Sequence, residues 1–401
     1  MYILHVTRES GSDARYGIGK SLAPIVTALR ERDHTVDILD GDISRTHPIG
    51  RWSAWLGRCL LAILRWHYAP PGPDQAASQA ILAMLAERTR IAWIAARWVK
   101  AKNISHVHCH DPVLAYLFTC FARWTGAKAR WGVTEHGFGA YVQERPGVFI
   151  PRHLLRHFQA WERSVAQSAA WLCAPSHTGL QQLASDLRWP VGTSAKSAPL
   201  PHNWHAVLHP RPALRHYERA KARQLLGIAA DEWIVLAVGQ LIPMKRFPLL
   251  ITACGSIDTV MRPNLIILGE GDQSPLLEAA DAVDMRHKLR IEVTDDIGLY
   301  FSAADVYASS TATESFGMAN CEALSFGLPA VCTAVGAVPE IIGDAAWLVG
   351  DSSDEMAAAL IALRNDADLR RSYCAKARRW AQAWPDPEKI ALEMERIYEA
   401  I

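Results

Sequence analysis

The sequence predicts an α/β protein made of two doubly wound parallel-sheet domains, and three observations carry that expectation. The chain has 401 residues, half of them apolar. A single hydrophobic core stops growing at roughly 250 to 300 residues, so there is material for more than one. Short apolar segments alternate with amphipathic stretches along both halves, as parallel strands do when helices cover both faces. The charge divides as well. Residues 1–200 hold 23 Lys+Arg and 14 Asp+Glu, a balance of +9; subtracting these from the totals of 42 and 41 leaves 19 and 27, a balance of −8, for residues 201–401. Opposite halves of this kind suit two bodies.

The elements follow in order. YILHV reads as a buried first strand. After it come a loop with Gly17 and Gly19, a helical pattern from about Ser21 to Arg32, and the strand TVDIL. HVHCH, a helix near 112–124, ARWGVTEH and WLCAPS complete the first half. The segment PLPHNWHAVLHPRP, residues 199–212, carries four prolines and reads as a connector. In the second half WIVLAVGQL, NLIILGEG, LRIEV, DVYASS and PAVCT are strands, each followed by polar or helical sequence. Near the end, Asp386 and Pro387 can start a last helix with Glu388 in its first turn.

Several function classes lose support at this level. Eight cysteines without a C-x-x-C pair signal neither a disulfide framework nor a structural zinc site, and a reducing cytoplasm is expected. The first residues lack the basic head and long apolar run of a secretory signal. A net charge of +1 and no recognised motif argue against nucleic-acid binding.

The most informative stretch is TESFGMANCEALSFGLP, residues 313–329. In open parallel sheets ligands bind at the carboxyl edge. Here DVYASS is a strand, TATES a loop, and Gly317 opens a helix that Gly327 and Pro329 end. The free amides around Phe316 and Gly317 make an anion site suited to a diphosphate. Glu314 lies in the loop on one side, and Glu322 about one and a half turns along the helix, roughly 8 Å of rise beyond Gly317. Two carboxylates flanking a phosphate site suggest a ligand with hydroxyls at both ends: a sugar, a diphosphate and a ribose in line. The bland alternative makes Glu314 a helix cap and Glu322 a solvated helical residue.

The spacing Glu314-x(7)-Glu322, followed by Gly327, Pro329, Val331, Gly336 and Glu340, resembles the signature of the retaining glycosyltransferases of family 4, whose GT-B fold has two Rossmann-like domains with a cleft between them. GEGDQSPLLE (269–278) and GQLIPMKRFPLLITA (239–253) extend the resemblance over nearly the whole second half. The first half matches more loosely, through the Gly17/Gly19 loop, the HVHCHD strand end and VTEHGFG. The resemblance implies an acceptor domain over 1–205, a nucleotide-sugar donor domain over 206–381, and a helix over 382–401 that packs back on the first domain. It implies catalytic roles for His136, Lys245 and Glu314. It implies a donor-binding set of Gly17, Gly19, Gly239, Gln240, Lys245, Arg246, Glu314, Ser315, Phe316, Gly317, Met318 and Glu322. Within these sets Glu314 would contact the donor sugar, Glu322 the ribose, the amides of Phe316 and Gly317 the diphosphate, Lys245 the charge growing on the leaving phosphate, and His136 the donor sugar from the first domain. No cofactor and no obligatory metal are implied.

One departure stands out. Gln240 occupies the place where the family usually has arginine, and Arg246, where it usually has glycine, is the candidate to compensate. The activity implied is retaining transfer of a sugar from a nucleoside diphosphate to an acceptor hydroxyl, in bacterial cell-surface glycan or glycolipid synthesis. The rivals are a nucleotide-sugar 2-epimerase and a catalytically silent sugar-nucleotide binder.

Three further features bear on metals and membranes. Asp40-x-Asp42 matches a divalent-ion pattern but sits in a polar turn after a strand, where a solvated loop is the simpler reading. His106, His108 and His110 alternate and so share one face of a strand. They reach along nearly 13 Å of extended chain, too spread for a tetrahedral metal. In RWSAWLGRCLLAILRWHY, residues 51–68, Arg51, Arg58 and Arg65 form a cationic stripe beside apolar positions. Residues 43–110 hold nine Lys+Arg and two acids. The segment is either an interfacial helix on an anionic membrane, with a lipid-linked acceptor, or a helix buried on the first sheet.

Overall fold

A computed structural model describes residues 1–9, 18–46, 75–140, 152–189, 199–211 and 213–400. Gly17 and the basic segment 51–68 lie outside the described residues. The chain forms two compact units, one of residues 1–210 with 386–401 and one of residues 211–385.

The first unit is a six-stranded parallel sheet of β1 (Tyr2–Val6), β2 (Thr35–Leu39), β3 (His106–Cys109), β4 (Arg130–Thr134), β5 (Trp171–Ala174) and β6 (Trp204–Ala206), in the order β2-β1-β3-β4-β5-β6. Alternation along the strands builds two cores. Leu4, Val6, Val107 and Cys109 pack with the long helix Gln75–Lys102 and the helix Pro112–Thr125 on one face. Ile3 and Val36 pack on the other with the helix Ile18–Glu31 and the last helix, Pro387–Glu399, which contributes Ile390, Met394, Ile397 and Tyr398. That last helix is capped by Asp386, whose carboxylate accepts from the Lys389 amide at 2.9 Å, with Pro387 in its first turn. Asp40 caps the short helix Gly41–Thr46 by accepting from the Ile43 amide at 2.8 Å, and partly exposed Asp42 pairs with Arg45.

The second unit is also a six-stranded parallel sheet: β7 (Ile234–Val238), β8 (Asn264–Leu268), β9 (Leu289–Glu292), β10 (Val306–Ser309), β11 (Ala330–Thr333) and β12 (Trp347–Val349). The order is β12-β11-β10-β7-β8-β9. The sequence reading missed two strands. β6 lies inside the proline-rich connector and is only three residues long, and β12 is a three-residue run, WLV, between polar turns. Both are edge strands, whose identity comes from the neighbour they pair with more than from their own pattern.

Among the described residues no helix is long and apolar enough to cross a membrane.

Candidate functional site

In a doubly wound sheet the chain reverses direction between the two strands that start the opposite windings, and the loops leaving their carboxyl ends diverge to form a crevice. In the second unit those strands are β7 and β10, which pair side by side. The loop after β7 carries Gly239, Gln240, Lys245 and Arg246; the loop after β10 carries Glu314, Ser315, Phe316 and Gly317. The topology thus brings the second-half residues named from the sequence to one sheet edge.

The two loops are stitched together through backbone atoms. The Ser310 hydroxyl donates to the carbonyls of Lys245 and Arg246, each at 3.0 Å. The Ala312 amide donates to the Met244 carbonyl at 2.8 Å. Thr333, fully buried at the end of β11, donates to the Thr311 carbonyl at 2.7 Å. The result is that the Lys245 ammonium meets Glu314 Oε2 at 2.7 Å, with both side chains partly open to solvent. Glu314 is held from behind as well: its carbonyl accepts from the Ala337 amide at 2.9 Å, and Gly336 turns there with φ +53°. A β-carbon on Gly336 would stand 2.3 Å from the Glu314 carbonyl oxygen, so this close approach requires glycine.

Gly317 takes φ +85° and precedes the helix Met318–Ser325, whose first amides have no side-chain cap. Phe316 and Gly317 are buried at this helix start, and Ser315 and Met318 flank them partly exposed. Glu322, one and a half turns on, is buried, with 3% of its surface exposed. This overturns the alternative of a solvated helical residue. Burial first, with the charges of Glu314 and Glu322 adding to it, pushes the Tyr307 hydroxyl and the Cys321 thiol well above their ordinary values. Both carboxylates therefore act on the same two interior groups.

Arg246 is engaged in the scaffold. Its guanidinium donates to the carbonyls of Ser310 and Thr311, each at 2.9 Å, and pairs with Asp351. Its backbone takes a left-handed turn at φ +46° that starts the helix Phe247–Ser256. Nothing in the spacing announced Asp351 as its partner. Gln240 is exposed beside Gly239, which packs on the Lys245 stem.

The first unit holds the remaining residues. Gly19 lies in the first turn of its helix, where its amide donates to Glu9 at 3.2 Å. His136, past the end of β4, is joined through Nε2 to His110 Nδ1 at 2.9 Å. His106, His108 and His110 share one face of β3, as the alternation requires. They engage Ser105, Tyr398 with Thr134, and His5 with His136, respectively. Among the described residues no group of three or more His, Cys, Asp or Glu is placed to hold a metal.

Residues 218–380 match the family model described as Glycosyl transferases group 1. N-acetyl-α-D-glucosaminyl L-malate synthase of Bacillus anthracis is 28% identical over 178 residues, which are 43% of this chain and 46% of that one. The chain thus spans about half the length of the curated relatives it matches. Among solved structures, sucrose-phosphate synthase from Thermosynechococcus elongatus superposes with a TM-score of 0.70 at 17% identity, covering 100% of this chain and 98% of the other. Anabaena HepE in complex with UDP-glucose superposes at 0.67 and 16%, covering all of both chains. At such identities the likeness is one of fold, and it gives both units the Rossmann-like form of the GT-B class.

Proposed function

We propose, from the match of residues 218–380 to the glycosyl transferases group 1 model, that this protein moves a sugar from a nucleoside diphosphate to an acceptor hydroxyl with retention of anomeric configuration. The observation that carries the reading is the Lys245–Glu314 pair at 2.7 Å, beside an uncapped helix start at the switch point of the second sheet. In the reaction the bond from the anomeric carbon to the phosphate oxygen breaks, its electron pair leaving with the nucleoside diphosphate. A bond to the acceptor oxygen forms, and the acceptor's proton goes to the departing phosphate. Positive charge grows on the ring and negative charge on the leaving group, so preorganised cations and amide dipoles lower the barrier.

Each residue then has a task. The Lys245 ammonium, released from Glu314, neutralises the phosphate, and the Phe316 and Gly317 amides cradle the diphosphate with the helix dipole behind them. Glu314 accepts hydrogen bonds from the sugar's hydroxyls, Glu322 from the ribose, and His136 meets the donor sugar. The acceptor is a glycan or lipid-linked sugar, in keeping with the +9 balance of the first 200 residues. The work belongs to bacterial cell-surface synthesis on the cytoplasmic side of the membrane. A soluble anionic acceptor is the second reading, favoured by the malate named for the Bacillus relative.

The test is stabilisation by UDP, GDP and their sugars, followed by mass detection of product with and without acceptor. A nucleotide at one hundred times its Kd adds about 2.7 kcal/mol, a rise in Tm of several degrees for a unit of this size. Lys245→Ala should abolish most of that rise. No stabilisation by any of them sinks the reading. An isomerised donor without acceptor makes the protein an epimerase, and stabilisation without product under any acceptor makes it a binder.

A further inference from the structure

Five imidazoles, His5, His108, His110, His136 and His209, line a cavity of about 30 Å³ at the carboxyl end of the first sheet. This is the switch point of the first unit, where β1 and β3 pair. Three of the rings form a hydrogen-bonded file. His5 Nδ1 and His110 Nε2 are 3.0 Å apart, and His110 Nδ1 and His136 Nε2 are 2.9 Å apart. Successive ring centroids lie 5.3 and 5.2 Å apart, with the ring planes inclined by 25° and 26°. His108 stacks against the file but is bonded elsewhere, to Tyr398 at 2.7 Å and Thr134 at 2.6 Å.

Burial keeps these groups uncharged. It lowers His5 to about 3, with the Arg30 charge adding to the effect, and His209 to about 4. His110 and His136 are held well below their ordinary values by burial first, and then by neighbouring histidines and, for His136, Arg8.

A neutral imidazole carries one N–H and one bare nitrogen. Three rings supply three of each, and the two hydrogen bonds use two of each. One N–H and one bare nitrogen remain for the two end atoms, His5 Nε2 and His136 Nδ1. Both end atoms are buried, and no protein group among the described residues partners them. Following the bonds along the file leaves two arrangements. Either all three rings carry the proton on Nδ1, so that His136 Nδ1 is a donor, or all three carry it on Nε2, so that His136 Nδ1 is an acceptor. A mixed file would put two hydrogens, or two lone pairs, face to face.

We propose that His5 and His110 are positioning residues for His136, setting through a shared tautomer whether its one remaining ring nitrogen donates or accepts. The functional half of this rests on the proposed meeting of His136 with the donor sugar; the file itself does not. A sugar hydroxyl both donates and accepts, so a ring whose polarity reverses without a change of net charge can follow the hydroxyl in either role. At roughly 10 to 15 Å³ of such volume per water, the cavity beside the file has room for two or three hydroxyl-sized groups.

The decisive measurement is the long-range ¹⁵N–¹H correlation spectrum of the full-length protein with ¹⁵N-labelled histidines at pH 7.5. His5, His110 and His136 are expected to be neutral and to share one tautomer, all Nδ1–H or all Nε2–H. A mixed set, or an imidazolium among them, overturns the proposal without any variant being needed. His5→Phe keeps a ring in the stack and does not touch His136, yet it should convert His136 to a tautomer mixture. His110→Gln retains a donor and an acceptor, so His136 should keep a single tautomer. An unaltered His136 spectrum in His5→Phe also counts against the proposal. If sugar transfer is established, His5→Phe should lower kcat roughly tenfold and leave the affinity for UDP or GDP unchanged. If transfer is never observed, the spectrum still decides the file.

Discussion

The Lys245–Glu314 site and the histidine file occupy the same topological place in two parallel sheets, yet they are built from opposite materials. The first is a charged pair, held by hydrogen bonds from the Ser310 hydroxyl to carbonyls of the other loop and left partly open to solvent. The second is a set of neutral rings, held by one another and closed off from solvent at His5, His108 and His110. An isolated buried charge is expensive, so charge persists where water still reaches it or a partner is in place. In the interior the chain uses a side chain that gives up its charge near neutral pH at little cost. The comparison predicts that the two sites respond differently to substitution and to acid.

The largest difference should appear in activity. Glu314→Ala or Lys245→Ala removes a group aimed at the reacting atoms, with an expected fall in kcat/KM of about 10² to 10³, measured by product formation from the donor that stabilises the wild type best. The histidine variants should cost far less. Equal losses in both sets would mean that the file, too, touches reacting atoms.

Acid should separate the units next. A buried histidine whose folded pKa is depressed binds fewer protons than it does in the unfolded chain. Stability therefore falls as pH drops below the unfolded value near 6.5, down to the folded value, about 3 for His5 and about 4 for His209. Each such imidazole costs up to about 1.4 kcal/mol per pH unit over that window. Residues 1–210 with 386–401 should thus lose stability from pH 6.5 downward. In residues 211–385 the two histidines, His216 and His287, are exposed, so this unit carries no buried-imidazole penalty of that kind. Amide exchange at pH 7.5 and pH 5 reads both units in one sample. Faster exchange at pH 5 confined to the second unit would refute the contrast.

The sequence made one of these sites far more legible than the other. Glu314 and Glu322 lie eight residues apart on one continuous strand-loop-helix, so spacing alone placed them about an anion site, and Lys245 entered through the resemblance. The ties that hold the site were not legible: Thr333 to Thr311, Ser310 to Lys245, and Gly336 against the Glu314 carbonyl all join segments far apart in sequence. The same limit hid most of the histidine file. Alternation in HVHCH showed that three histidines share a face, but His5 lies in another strand about a hundred residues earlier. Only the parallel pairing, with His5 opposite His108, brings it beside His110. YILHV places a histidine among apolar strand residues, a weak signal of a buried polar role.

A moderate effect tests the hidden scaffold. Gly336→Ala places a methyl 2.3 Å from a backbone oxygen, at φ +53°. The left-handed conformation alone costs about 1 to 2 kcal/mol. Relief of the contact must shift the loop that fixes Glu314. The expected outcome is a Tm lowered by a few degrees together with weaker nucleotide binding, read in one thermal-shift series. A loss of stability with unchanged binding would show that Glu314 does not need this backing.

The smallest expected effect bears most directly on how much charge the second site can deploy. Arg246 spends its guanidinium on Ser310, Thr311 and Asp351, which leaves Lys245 as the cation in this loop paired with a site carboxylate. Gln240 is exposed at the place where a second cation is expected, one residue beyond the glycine that packs on the Lys245 stem. Gln240→Arg supplies that cation at a position already solvated, so folding should not suffer. A further charge on the departing phosphate should raise kcat several-fold, up to about tenfold for 1.4 kcal/mol of added stabilisation of the transition state. The gain should shrink as salt is raised, because a partly exposed charge is screened. Unchanged kcat at low salt would mean that the phosphate is neutralised from outside this loop, and the Lys245–Glu314 pair would then be only part of the charged site.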